Sequence, residues 1–350
     1  MQDFDALAIG VLDGVFVAKS GRKTWTCILL VCKSDEEVKV NEFGFPSWSS
    51  AENCMDCMAN DTTRPWTDLS RGAGWRPTEE VSLDVWRARF RKPDHPLVRS
   101  HYNCDRCFFF ELMRLADCKG VSSIAFGSAI QMLLRKNALG CTMGDRLKTI
   151  NTYMKEWYAT RPRYHRLPPI RPSNLKDSEN WANLCGPSVK AATTRAFAPL
   201  MRDLGQMYFT ADTAGDRCVK EVLDSLAIYY DTLYAAPMFV PPETVASLRA
   251  ICVRMGENWQ MLRHQAMMES KLWWKVSPKV HKLQHTPLWC EVLNVRYVQV
   301  YAEESTVGTT AKVWKRCVSG QYQCSAQSMV LMKRTLGLLL RFETERDTHP

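Results

Sequence analysis

Long hydrophobic runs are missing from this 350-residue chain. The best of them, Cys27-Ile28-Leu29-Leu30-Val31-Cys32, falls far short of the roughly 18 apolar residues a membrane helix needs, so no membrane partner is expected. A secretion signal is missing too. Met1-Gln2-Asp3-Phe4-Asp5 is acidic where a basic start and an apolar core would stand. An intracellular, soluble protein is therefore expected, with its 14 cysteines as thiols or metal ligands rather than a disulfide framework. In that setting the sequon Asn60-Asp61-Thr62 is a coincidence. The chain has no G-x-x-x-x-G-K phosphate loop, no Rossmann glycine fingerprint and no G-x-S-x-G elbow. P-loop nucleotide hydrolysis and serine-hydrolase chemistry are left without support. A cysteine nucleophile stays open, because its partners would be spatial rather than sequential. Internal repeats and low-complexity tracts are absent as well.

What is present begins with ordinary globular composition. Hydrophobic residues make up 46% and charged residues 24%, which rules out wholesale disorder. The length suits one large domain or two ordinary ones. The net charge of +9 is unevenly spread: −4 over residues 1–60, +8 over 61–170, −1 over 171–250 and +6 over 251–350. Two basic segments flanking neutral or acidic ones can form a polyanion-binding surface or simply a solvated basic face.

The first 33 residues read as a β-meander. Turn signals at Asp13-Gly14 and Ser20-Gly21-Arg22 separate apolar runs at 6–12, 15–18 and 24–32. Residues 41–110 form a Cys/Trp-rich irregular module with little periodicity. So long a loop argues for a metal staple or for packing against another domain. Helical signals then take over. Ser122 or Ser123 is placed to cap a helix reaching about Leu139, and Asp145 to cap the next. Residues 160–187 read as a Pro- and Arg-rich loop. Val222, Leu223, Leu226, Tyr230 and Leu233 make an amphipathic stripe. Pro241-Pro242 opens a further helix with Val245, Leu248, Cys252, Met255, Trp259 and Leu262 inward. Asn294 to Tyr301 reads as a strand, and a helical segment to about Val318 follows it.

Three constellations could carry chemistry. Cys54-Met55-Asp56-Cys57 and Cys104-Asp105-Arg106-Cys107 are two C-x-x-C pairs, and four thiolates close a structural zinc site. His95 and His101 are additional possible ligands, and ordinary buried cysteines are the plainer reading. His281 and His285, four apart, share a helix face. They are read as a basic, partly buried turn stapled by Pro278 and Pro287, with metal ligation as the other reading. Asp35 follows one expected strand and Glu303-Glu304 another. Acids at strand ends can hold Mg²⁺ for phosphodiester chemistry, although such acids are commonly just exposed.

A set of phrases runs in a telling order: Asp35-Glu36, Phe45-Pro46-Ser47-Trp48, Cys54-x-x-Cys57-x-Ala59, Pro65-Trp66-Thr67-Asp68, Ala73-Gly74-Trp75-Arg76-Pro77, His95-Pro96-Leu97, Asp117-Cys118-Lys119-Gly120-Val121, Pro278-Lys279-Val280-His281 with His285, and Glu303-Glu304-Ser305. In that order, across about 30–310, the chain resembles transposon-derived proteins related to CACTA-type transposases. The resemblance implies an α/β fold, with a small ribonuclease-H-like sheet formed by segments near both ends (1–40 and 290–320). It also implies a large, mainly helical insertion (111–289) after the 41–110 module, and a C-terminal segment (321–350). Asp35 matches the second acid of the family's DDE triad and Glu304 its last, with Mg²⁺ between them. The first acid is unfilled, with only Asp3, Asp5 and Asp13 to choose from. Glu111 and Arg114 stand where the family has Asp and His. The chain thus reads as a truncated or decayed copy: a nuclear, DNA-binding protein lacking full strand-transfer activity. Lys279, Lys282, Lys312, Lys315 and Arg316 are its first candidates for phosphate contact. The alternative is a non-enzymatic, zinc-stapled interaction protein held by Cys54, Cys57, Cys104 and Cys107.

Overall fold

The computed structural model describes residues 40–41, 44–79 and 111–298, apart from 48, 53, 162–164 and 211, together with the backbone of five short strands. β1 (Val11–Leu12), β2 (Val15–Ser20) and β3 (Lys23–Ile28) form an antiparallel sheet in the order β1-β2-β3. The register pairs Leu12 with Val15 and Ser20 with Lys23; the expected turn residues Asp13-Gly14 and Gly21-Arg22 lie outside the described residues. β4 (Cys32–Lys33) and β5 (Phe108–Phe109) make a two-residue parallel pair.

The other described residues are mainly helical from 111 onward, which corrects the expected fold class. Neither small sheet takes a strand from 290–320, so among the described residues no ribonuclease-H-like sheet joins the two ends. The segment expected as a strand from Asn294 begins instead as a 3-10 turn, Val295–Val298. Its β-branched residues suggest extended backbone, but the preceding side chain overrides them. Asn294 is fully buried, and its Nδ2 donates to the carbonyls of Leu233, Ala236 and Pro237 at 2.9, 3.2 and 3.2 Å. Its Oδ1 accepts from Arg296 N at 3.1 Å, a local turn bond that competes with strand pairing.

Eight α-helices are described: α1 (Val121–Leu133), α2 (Met143–Ala159), α3 (Ala191–Ala196), α4 (Ala198–Tyr208), α5 (Ala214–Ala235), α6 (Pro242–Met268), α7 (Pro278–Leu283) and α8 (Thr286–Cys290). The two longest, α5 and α6, pack against each other. Every residue expected to face inward on them is buried, from Val222 to Leu233 on α5 and from Val245 to Leu262 on α6. Pro242 stands at the first position of α6, where no amide hydrogen is needed.

Two helix starts fall a few residues from their expected places. The cap of α2 is Thr142, whose hydroxyl accepts from Asp145 N while Asp145 answers to Thr142 N, a capping box. Asp145 is the third residue inside the helix rather than its cap. α1 starts after Gly120, with Ser122 and Ser123 already inside it. Both serines are engaged elsewhere: Ser122 Oγ meets Tyr230 Oη at 2.7 Å, and Ser123 donates to Asp117 O at 2.7 Å. A Cβ at Gly120 would overlap the backbone of Leu115 and Ala116, so only glycine lets the Met113–Asp117 π-turn close onto α1.

Large aromatics lock the helical core. Trp259 on α6 and Trp274 are fully buried and meet edge to face, with ring centroids 5.3 Å apart. Trp259 Nε1 donates to Trp274 O and Trp274 Nε1 to Met132 Sδ at 3.4 Å, so both indole N–H groups have partners, and Trp274 N donates to Ser128 Oγ on α1. A second, smaller apolar cluster holds Cys54, Cys57, Ala59, Ala73 and Trp75. It lies in the stretch 44–79, whose only described helical element is the 3-10 turn Arg76–Thr78.

Candidate metal centre

The smaller cluster is where the chemistry collects. Cys54 and Cys57 lie on a loop, His281 on α7, and His285 at the residue that starts α8. All four side chains are fully buried. One donor atom from each lies within 4.8 Å of the others. Cys57 Sγ is 3.3 Å from His281 Nε2, and the two Nε2 atoms are 3.1 Å apart. Ligands about 2.3 Å (S) and 2.0–2.1 Å (N) from a tetrahedral zinc would stand roughly 3.3–3.8 Å from one another. The set is thus nearly at coordination spacing, and both imidazoles turn Nε2 inward.

Local sequence explains the convergence. Proline opens each short helix, Pro278 in α7 and Pro287 in α8, and the break between them brings two imidazoles four residues apart onto one side. Trp75 fills the space beside them, its ring centroid 4.4 Å from His281 and 5.2 Å from His285, both edge to face. Trp75 Nε1 donates to Asp68 O at 2.6 Å. The loop is pinned around the ligands by bonds with partners on both sides. Trp289 Nε1 donates to Asp56 Oδ1 at 3.0 Å, joining the C-x-x-C turn to α8. Arg76 donates to Gln284 Oε1 at 3.1 Å and also to Ser70 O and Leu69 O. Ala59 N points at Cys57 Sγ at 3.4 Å, an orientation that suits a thiolate.

An outer carboxylate orients one histidine. Glu79 Oε1 is 3.4 Å from His285 Nδ1, and Glu79 Oε2 accepts from Arg249 Nη1 at 2.9 Å. Arg249 also reaches Glu291 at 3.4 Å. A carboxylate behind a ligating imidazole fixes its tautomer and raises its basicity. Nδ1 of both imidazoles is buried outside hydrogen-bond geometry, and the Glu79 carboxylate faces that of His285 as an ion-pair partner.

Electrostatics follow from four titratable groups sharing one dry site. Burial alone would raise the Cys54 thiol, but the Cys57 hydrogen bond and the charges of His285 and His281 hold it well below its ordinary value. Burial and then Cys54 push Cys57 up. Burial alone would lower His285, but Cys54 and then Glu79 push it up to about 10. Burial keeps His281 below its ordinary value. A metal replaces the protons of these groups, since it binds thiolate and neutral imidazole.

The structure redistributes the residues singled out in the sequence. The pair Cys54/Cys57 takes His281 and His285 as partners, whereas the sequence pairs it with Cys104 and Cys107, which lie outside the described residues. The histidine pair reads from sequence as a stapled turn; the turn is there, and the imidazoles also face the thiols. Lys282 is 2% exposed, which removes it from the phosphate-contact candidates. The ammonium of Lys279 is held by the carbonyls of Cys118 and Lys119 at 3.4 and 3.2 Å. Lys312, Lys315, Arg316, Asp35 and Glu304 lie outside the described residues, as do His95 and His101. Sequence reasoning missed Glu79, Trp75 and Asp56 as supporting groups. No spacing rule reaches them, since their partners are on α6, α7 and α8.

Comparison of the chain with protein-family models, curated proteins and solved structures finds no match. No described helix is long and apolar enough to cross a membrane.

Proposed function

We propose that the chain is a zinc-stapled, non-enzymatic binding protein whose metal joins the 44–79 loop module to the helical body. The observation that carries this is the closed set of four buried donors, Cys54, Cys57, His281 and His285. A catalytic zinc keeps a position open for water or substrate; a structural one is closed by four protein ligands. Two thiolates also neutralise Zn²⁺, so the buried centre carries no net charge.

The partner we propose is nucleic acid, in keeping with descent from a CACTA-type transposase. Two of the phrases that carry that resemblance, Cys54-x-x-Cys57-x-Ala59 and Pro278-Lys279-Val280-His281 with His285, are the ones that meet at the centre. Support for the partner comes from the charge of +9 and from guanidinium groups lying over aromatic rings. These include Arg161 over Trp157 at 3.6 Å and Arg296 over Tyr297 at 4.5 Å. Such pairs offer charge for phosphate and a flat face for bases.

The test has two arms. Metal analysis of the exhaustively dialysed full chain is expected to give one zinc per chain, lost in Cys54→Ser and His285→Ala. Binding to a DNA duplex, and to its single strands, is expected to weaken steeply with salt. Zinc without salt-dependent DNA binding would sink the nucleic-acid reading and leave a zinc-stapled protein with another partner. A chain without zinc would sink the staple.

A further inference from the structure

A second cluster of metal-binding side chains lies between α5 and α6 and shares no residue with the first. Cys218 of α5 and Met261 of α6 bring their sulfurs to 3.9 Å. Both line a cavity of about 450 Å³ together with His264, which lies one turn beyond Met261 on the same helix. Cys218 is 4% exposed, whereas Met261 is 55% exposed and His264 is exposed. Gly215 and Gln265 complete one wall; a Cβ at Gly215 would run into the Gln265 amide, so the glycine lets that side chain lie against α5.

Met261 is one of several exposed methionines, with Met143, Met207 and Met267, and its sulfur lies beside the one thiol of the cavity. The separation is also telling. Two sulfurs each about 2.3 Å from one metal ion and 3.9 Å apart subtend roughly 116°, close to the trigonal angle.

We infer that Cys218, Met261 and His264 form a binding site for a soft monovalent metal ion, Cu(I). Thiolate and thioether are the ligands that select Cu(I), and imidazole suits copper as well. Charge points the same way. One thiolate balances the one positive charge of Cu(I). Binding forms a Cys218 S–Cu bond and releases the thiol proton to water. No oxidation state changes, and Met261 Sδ and a His264 ring nitrogen donate lone pairs.

The experiment is an anaerobic competition between the zinc-loaded full chain and bicinchoninate for Cu(I), run on the wild type and on Cys218→Ser, Met261→Leu and His264→Ala. The other thirteen cysteines bind the ion too, so the readout is the difference between proteins. The wild type is expected to take up one equivalent that Cys218→Ser lacks. Met261→Leu and His264→Ala are expected to weaken that equivalent by about tenfold or more. Their side chains are exposed, so both variants are expected to keep the far-ultraviolet dichroism and the zinc content of the wild type. Four superimposable titrations would overturn the proposal. So would a loss confined to Cys218→Ser, which would make Cys218 one more thiol among many.

Discussion

Glu79 divides its two carboxylate oxygens between His285 and Arg249, and that division sets what its loss should do. Burial alone would raise its pKa, but His285, Arg249 and Arg76 hold it below the ordinary carboxylate range. Glu79→Gln keeps the shape but removes the charge that fixes the His285 tautomer. It is expected to lower zinc affinity by about 10–100-fold in a chelator competition, with the dichroism spectrum unchanged. An unchanged affinity would mean that the centre does not use His285 Nε2. Asp145 gives a pH prediction with a definite sign. Hydrogen bonds from Thr142 lower its pKa in the folded chain. Its contribution is therefore present above the unfolded value of about 4 and fades as pH falls through the lower folded value. Urea titrations of the wild type and Asp145→Ala are expected to differ at pH 7 and to converge in acid; a gap that persists or widens in acid contradicts the capping box. At this scale much was legible. The C-x-x-C pair stands out in the sequence as half of a metal site, and the two histidines as a stapled turn with ligation as the other reading. What spacing could not supply was the pairing, because Cys57 and His281 are 224 residues apart and only the tertiary fold introduces them.

Among the elements, helices with strong periodicity were legible and the last strand was not. The stripes on α5 and α6 follow directly from burial at 3.6-residue spacing. Asn294 to Val298 failed because one buried Asn side chain outweighs the local preference of its β-branched neighbours. The same reasoning makes Asn294→Ala costly: three carbonyls at the end of α5 lose their donor, and about 1–3 kcal/mol of stability should go in urea unfolding. Trp259→Ala removes the centre of the aromatic lock and is expected to cost about 3–5 kcal/mol. A loss well under 1 kcal/mol would place Trp259 outside the core described above.

At the scale of the whole molecule, the four candidate ligands bring sequence-distant parts together, and the proposed metal would link them. The 44–79 stretch has little regular structure and a small apolar cluster of its own, so its order depends on bonds to α6, α7 and α8 and on the four ligands. The much larger core is built mainly by the helical body, and Phe45, Met55 and Leu69 of the 44–79 stretch reach into it. Chelation of the zinc is therefore expected to open 44–79 to protease while most of the helical dichroism survives. Simultaneous loss of both would mean that the body, too, folds only with metal. The α/β fold expected from the resemblance was not legible in the residues themselves. It rested on two strand readings at opposite ends of the chain, and the second of these is a turn tied to α5.

The most direct test of the central claim is zinc K-edge X-ray absorption on the dialysed full chain. Two sulfurs near 2.3 Å and two nitrogens near 2.0–2.1 Å are expected, as Cys54, Cys57, His281 and His285 would provide. Four sulfurs would contradict it, returning the ligand set to the two C-x-x-C pairs and leaving the buried histidines without a metal.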